Sequence, residues 1–185
     1  MVCTPARPAR EVAGEPVGVD GQGRGHETHA EMAFDDDGTI RAVRVRTYGE
    51  LGGCLSSFGA LNPTVGYAPM LPGQYDMDAT YCHVTEVFAN AAPTEPYRGA
   101  GRPEASFVIE RLATLAARDL GMDQAEFRRL NFVDPDDFPH ETPTGMVYDS
   151  GDYDKTLTRA LELVDYDGFP ERQAAAREAG RYRGI

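Results

Sequence analysis

The chain predicts an α+β fold, a mixed sheet with helices packed against it, and three observations carry that reading. Two strand-like runs, residues 26–34 and 39–48, flank Asp35-Asp36-Asp37-Gly38, whose Asp-Gly step favours a hairpin turn. A third run, residues 75–89, again reads as strand. Residues 104–120 then set Ala105, Val108, Ile109, Leu112, Leu115, Ala116 and Leu120 at helical spacing, a core-facing stripe.

Each element has its own justification. In the second strand Val43, Val45 and Thr47 share one face and Arg44, Arg46 and Tyr48 the other, because side chains alternate along a strand. Residues 49–73 are rich in Gly, Pro and Ser without clear period, with one short helix expected near 55–61. Gly121 ends the long helix. Asp123 with Glu126 resembles a capping box and starts a second helix running to about Asn131. A Pro- and Asp-rich linker is expected over 134–144. Residues 152–164 read as a third helix, with Leu157, Ala160, Leu161 and Val164 inward, and residues 170–179 as a fourth. No internal repeat is visible.

Composition bounds the function. At 185 residues the chain can bury one real core. Its net charge of −12 disfavours nucleic acid and anionic membranes as partners. No signal-peptide pattern or transmembrane run is present, so the expected location is cytoplasmic. Cys3, Cys54 and Cys82 are odd in number and widely spaced, which indicates neither a disulfide framework nor a zinc knuckle. Residues 1–23, rich in Pro, Gly and Arg, are expected to form a poorly ordered leader.

The richest local chemistry lies at Glu95-Pro96-Tyr97-Arg98-Gly99-Ala100-Gly101-Arg102-Pro103-Glu104-Ala105. Two glycines let backbone N–H groups come close to a ligand. The helix N-terminus behind them favours anions through its free N–H groups and its dipole. The stretch therefore reads as a backbone cradle for an anionic, phosphate-bearing cofactor, or as an ordinary Gly-rich turn before a helix. A dinucleotide fingerprint fails, since its third small position is Glu104 and Pro93 and Pro96 separate the loop from the preceding strand. A Walker loop fails for want of Gly-Lys-Ser/Thr.

Other candidates are weaker. His26 and His29, three apart on a strand, point to opposite faces, and His83 and His140 have no partners in sequence. Ser56-Ser57 lacks the nucleophile elbow of a hydrolase. The Asp runs lack Ca²⁺-loop spacing. Tyr148-Asp149-Ser150-Gly151-Asp152 reads as a turn and helix cap.

The Gly-rich segment resembles the cofactor loop of the molybdenum hydroxylases, the family of xanthine dehydrogenase, aldehyde oxidase and the carbon monoxide dehydrogenase large subunit. The resemblance runs from about Arg24 to the C-terminus. It takes in Glu31-Met32, Asp37-Gly38, Tyr75-Asp76, Val87-Phe88-Ala89-Asn90, the helix over 104–120 and Arg128-Arg129-Leu130-Asn131-Phe132. Thr142-Pro143-Thr144-Gly145 and Tyr148 to Tyr153 continue it.

This resemblance implies a partial molybdopterin-binding domain of a larger subunit. Residues 24–133 would form most of the first cofactor-binding domain, and 134–185 a linker and the truncated start of a second. It implies a molybdenum-pterin cofactor, as molybdopterin or its cytosine dinucleotide form, with iron–sulfur and FAD groups only on partner subunits. The partners implied are the remaining domains of the same subunit and iron–sulfur and flavin subunits, as a dimer of heterotrimers when intact. In the family, chemistry takes place at the metal, and a glutamate near the end of the subunit acts as general base. That base is expected beyond residue 185, so no catalytic residue and no direct metal ligand is expected within the chain.

Arg98, Gly99, Ala100, Gly101 and Arg102 are the cofactor-binding residues the resemblance implies, Arg98 foremost. The other reading of Arg98 is a structural arginine paired with Glu95 or Glu104. The carbon monoxide oxidising branch has a copper-holding cysteine where this chain has Gly99, and the purine branch an aromatic residue where it has Ala100. An aldehyde or heteroaromatic carbon is therefore the expected substrate class. The alternative is a non-catalytic remnant or an assembly module.

Overall fold

The hairpin turn comes first in the fold as in the sequence. A computed structural model describes residues 23–184; the leader expected over 1–23 lies outside them apart from its last residue, and Cys3 lies outside them too. Strand β1 (His26–Phe34) and strand β2 (Ile40–Gly52) pair antiparallel, with a bulge at Ala33/Phe34. The Gly38 amide donates to the Asp35 carbonyl at 2.9 Å, and Gly38 takes φ 94°, open to glycine without steric cost. Asp37 Oδ1 accepts the Thr39 amide at 2.9 Å, the local bond that suits Asp to turns.

Strand β3 (Ala79–Phe88) lies on the other side of β2 and runs parallel to it, giving the order β1-β2-β3. A parallel neighbour needs a crossover. Residues 53–78 supply it through two 3₁₀ turns, Gly59–Leu61 and Ala68–Met70, where one short helix near 55–61 was expected. The crossover is part of the core: Tyr67, Leu71 and Tyr75 are fully buried along it. This explains why the third strand starts at Ala79 instead of residue 75.

One sheet face is closed by helix α1 (Arg102–Leu120). Its Ala105, Ile109, Leu112, Ala113, Ala116 and Ala117 are buried against Val43, Val45, Ile40 and Ala30 of the sheet. Val108 and Leu120 pack at the margin of this cluster, and Leu115 is half-buried. The alternation expected of β2 holds: Val43, Val45 and Thr47 are buried and Arg44, Arg46 and Tyr48 exposed. Gly121, φ 67°, ends α1.

Helix α2 (Gln124–Asn131) starts at Asp123, whose carboxylate accepts the amides of Ala125 and Glu126. Its last residue fastens the hairpin. Asn131 is buried; its Oδ1 accepts the Ile40 amide at 2.7 Å, and its Nδ2 donates to the carbonyls of Gly38 and Phe127. Glu110 joins the two helices, taking Arg128 Nε at 2.8 Å, Tyr75 Oη at 2.8 Å and Gln74 Nε2 at 3.0 Å.

The linker expected over 134–144 holds a 3₁₀ turn, Pro135–Asp137, and the short strand β4 (His140–Glu141), which pairs antiparallel with β5 (Val147–Tyr148) beyond it. Tyr148 is therefore strand and not turn, while Asp152 caps the next helix as expected. Helices α3 (Tyr153–Val164) and α4 (Phe169–Glu178) follow, and neither buries a residue fully. The inward stripe expected of α3 is only half realised. Leu157 and Leu161 are half-buried, whereas Ala160 and Val164 are exposed. The fold is thus α+β, a mixed sheet with packed helices. Among the described residues no helix is long and apolar enough to cross a membrane.

Candidate functional site: the glycine loop before α1

The loop is tied down on the way in. The Thr94 amide donates to the Leu51 carbonyl at 3.1 Å and its hydroxyl to the Glu50 carbonyl at 2.6 Å, so residue 94 is stitched to the end of β2. Ser56 Oγ donates to the Thr94 carbonyl at 2.7 Å and accepts the Gly59 amide at 2.9 Å, adding the crossover to the same knot. On the way out, the Ala105 amide donates to the Gly101 carbonyl at 3.1 Å, and Ala105 enters the core. Both ends are rigid.

Between them the backbone is left-handed at three consecutive residues: Gly99 at φ 103°, Ala100 at φ 42° and Gly101 at φ 92°. Such a conformation is open to glycine and strained at alanine. What holds it is a backbone-on-backbone contact with the crossover. A Cβ on Gly101 would stand 2.1 Å from the Asn62 carbonyl oxygen, and one on Gly66 would stand 1.8 Å from the Ala100 carbonyl oxygen. A Cβ on Gly99 would meet the Pro103 ring at 2.8 Å.

The donor inventory matters next. Ala100 and Arg102 spend their amides on the Tyr97 and Gly99 carbonyls, at 2.7 and 3.1 Å. Among the described residues the amides of Gly99 and Gly101 have no acceptor. Gly101 is the N-cap of α1 and brings no side-chain cap, and Pro103 in the first turn has no N–H to satisfy. The open donors here thus belong to the turn itself, the amides of half-buried Gly99 and buried Gly101, ahead of the helix dipole.

Charge around the loop is divided. Arg98 and Arg102 are exposed; Arg102 Nη1 donates back to the Gly99 carbonyl at 3.3 Å, while Arg98 has no ion pair among the described residues. The pairing of Arg98 with Glu95 or Glu104, its structural reading, does not occur. Glu104 is faced by Arg24 instead, Nε to Oε1 at 3.8 Å, and the Arg24 guanidinium lies 5.1 Å over the Tyr97 ring. The Glu104 side chain is only 13% exposed, and its Oε2 is buried without a hydrogen-bond partner among the described residues. His26 sits behind it, edge-on to Tyr67 at 5.2 Å, and burial lowers its pKa against an opposing pull from Glu104.

All five residues expected at the site fall in one turn. Those that sequence reading missed are the supports beneath and beside it: Asn62, Gly66, Tyr67 and Arg24. Gly66 carried a signal of its own, a glycine in a crossover where no helix or strand needed one. His26 and His29 take opposite faces of β1, His26 half-buried and His29 exposed beside Glu27. Among the described residues no group of three or more His, Cys, Asp or Glu is placed to hold a metal ion.

The class of protein defined here is an α+β domain, a mixed sheet backed by one long helix whose N-terminus follows a left-handed glycine turn without a side-chain cap. Comparison with known proteins makes that class specific. Residues 11–132 match the molybdopterin cofactor-binding domain family, and the chain belongs to it. It is 34% identical over 165 residues to the carbon monoxide dehydrogenase large chain of Hydrogenophaga pseudoflava, covering 88% of this chain and 20% of that protein.

Solved structures agree. Quinoline 2-oxidoreductase from Pseudomonas putida 86 superposes with a TM-score of 0.79 at 31% identity, over 85% of this chain and 20% of that one. The aldehyde oxidoreductase of Desulfovibrio gigas gives 0.65 at 27% identity, over 84% and 16%. The chain therefore corresponds to a fragment of a molybdopterin-binding subunit of the molybdenum hydroxylase family, about a fifth of the length of these relatives.

Proposed function

We propose that the chain forms one wall of the molybdenum-pterin site in a hydroxylase that oxidises an aldehyde or heteroaromatic carbon, with water as the oxygen source. The observation that carries this is the cradle: left-handed Gly99 and Gly101 with amides not engaged by the described residues, at an uncapped helix start. What fits a molybdenum-pterin group is the donor chemistry: backbone amides with no acceptor among the described residues suit its oxygen atoms. Bound there, the group supplies the two-electron redox chemistry of the reaction.

The chain's own residues would position and stabilise. The Gly99 and Gly101 amides would donate to oxygen atoms of the cofactor, preorganised so that developing negative charge costs no rearrangement. Arg98, exposed and without an ion pair among the described residues, would add a mobile cation at the same edge. Arg24 offsets the Glu104 carboxylate, which otherwise sits in the first turn where an anionic ligand would be received.

The substrate class follows from what the loop lacks. Gly99 has no thiolate to hold Cu(I), a soft ion that needs a soft ligand. Ala100 presents no ring on which a purine could stack. Two similar proteins are named for heteroaromatic or aldehyde chemistry, the quinoline and aldehyde oxidoreductases. Within the whole subunit, residues 24–133 would be most of the first cofactor-binding domain and 134–185 the linker and start of the second. Iron–sulfur and flavin subunits would carry electrons away, in a cytoplasmic dimer of heterotrimers.

The test is a complete subunit containing this segment, assembled with its partners and analysed for metals. Molybdenum without copper, and turnover of aldehydes or N-heterocycles but not of carbon monoxide or xanthine, is the expected result. Robust carbon monoxide oxidation with stoichiometric copper would overturn it.

A further inference from the structure

The sheet has a second face, away from α1, and its chemistry is independent of the glycine loop. Three rows of side chains cross it. The middle row is His29–Arg46–His83, fixed by the pairing of His29 with Arg46 across β1 and β2 and of Arg46 with His83 across β2 and β3. Below lies Glu31–Arg44–Tyr81 and above Glu27–Tyr48–Thr85. A cavity of about 340 Å³ opens over the middle row, lined by His29, Arg46, Tyr48, His83 and Thr85 with the Arg44–Glu31 pair at its lower edge.

We propose that this row binds an extended oxyanion of the diphosphate type. Charge selects the sign. Arg44 is taken by Glu31 in an ion pair, whereas Arg46 has no carboxylate within ion-pair distance among the described residues. His29 Nε2 lies 3.7 Å from Glu27, which leaves Arg46 as the cavity's arginine without an ion pair, with Glu31 acting on it only at longer range. A guanidinium with five planar donors suits two oxygens of one phosphoryl group.

Distance selects the shape. Neighbouring strands lie about 4.8 Å apart, so the two imidazoles project from positions roughly 10 Å apart with Arg46 between them. The guanidinium between the two imidazoles repels a cation, and among the described residues no group of three or more His, Cys, Asp or Glu is placed to hold a metal ion. A lone carboxylate would satisfy Arg46 and leave both histidines idle. A diphosphate is long enough to put oxygens near His29 and His83 while its centre sits on Arg46, with the Tyr48 and Thr85 hydroxyls on the upper side. Nucleic acid is a poor occupant, because a chain of net charge −12 repels a polyanion at long range.

The experiment uses the 185-residue chain, ¹⁵N-labelled and titrated with inorganic pyrophosphate at fixed ionic strength, with acetate as a parallel arm. Saturable shifts are expected at residues 29–31, 44–48 and 83–85, with pyrophosphate binding at least tenfold more tightly than acetate. Arg46→Gln is expected to weaken pyrophosphate at least tenfold, and His83→Gln by a smaller factor. Arg46 and His83 are both exposed, so neither variant disturbs the core. The proposal is overturned by non-saturating shifts, by equal affinity for acetate, by binding that survives Arg46→Gln, or by shifts confined to residues 98–105. That last pattern would locate the anion on the glycine loop and leave the cofactor reading intact.

Discussion

The Ala100 carbonyl passes so close over Gly66 that a Cβ at residue 66 would stand 1.8 Å from its oxygen. The glycine loop is thus cast against the crossover between β2 and β3, and the left-handed turn at 99–101 fits there because the surface beneath it has no side chain. Gly66→Ala is expected to lift the loop while sparing the core, at a cost of about 1–3 kcal/mol typical of overpacking. Limited trypsin digestion, cutting after Arg98, should become faster in the variant. An unchanged cleavage rate would show that the contact does not hold the loop.

Leu112 is 2% exposed at the centre of the α1 stripe, packed within the cluster that includes Val43, Val45 and Ile109. Leu112→Asp places an unpaired carboxylate there and is expected to cost on the order of 3 kcal/mol or more. Urea unfolding at several protein concentrations should show the loss at every dilution, which separates it from self-association. A variant that melts like the parent would mean that α1 is not core.

His26 makes stability depend on pH. Burial holds its folded pKa below the ordinary histidine value, with Glu104 pulling the other way. The unfolded chain therefore takes up a proton near pH 6.5 that the folded chain refuses. The contribution is complete above that pH and is lost progressively as pH falls from about 6.5 toward the folded pKa. The thermal midpoint should drop between pH 7 and pH 5.5, and His26→Gln should flatten that part of the profile. A parent profile as flat as that of the variant would show that His26 is not responsible.

Much of this architecture was legible from local pattern. The Asp-Gly step gave the hairpin, the alternation at Val43, Arg44, Val45 and Arg46 gave the orientation of β2, and the stripe from Ala105 to Ala116 gave α1. Each of these signals is satisfied by neighbours close in space and repeated along the chain. The parallel placement of β3 was not legible, because its cause lies in the aperiodic crossover where Tyr67, Leu71 and Tyr75 turn inward at irregular spacing. The stripe on α3 misled for a related reason. Helical period shows that a face is apolar and not that a partner covers it, and Val164 of that stripe is 45% exposed.

The left-handed turn before α1 was legible by the same rule. Gly99 and Gly101 announced a special backbone at residues 99–101. The long-range partners that hold it, Asn62, Gly66 and Arg24, left no local period to read.

The last prediction concerns catalysis by the 185-residue chain on its own. A hydroxylation of this class needs a general base beside the bound cofactor. Among the described residues the carboxylate nearest in sequence behind the loop is Glu104, and it is spoken for: its side chain is largely buried in the first turn of α1 and faces Arg24. Glu110 is no better placed, since Arg128, Tyr75 and Gln74 occupy both its oxygens. The remaining carboxylate of the stretch, Glu95, is exposed to solvent, and a base is effective only where substrate and cofactor are held beside it. The purified chain should therefore show no turnover of aldehydes, N-heterocycles or purines with a dye acceptor, even after incubation with molybdenum cofactor. Glu104→Gln should leave that null rate unchanged while altering the thermal midpoint, as expected of a structural carboxylate. Measurable turnover that disappears in Glu104→Gln would make Glu104 the base and reverse the assignment.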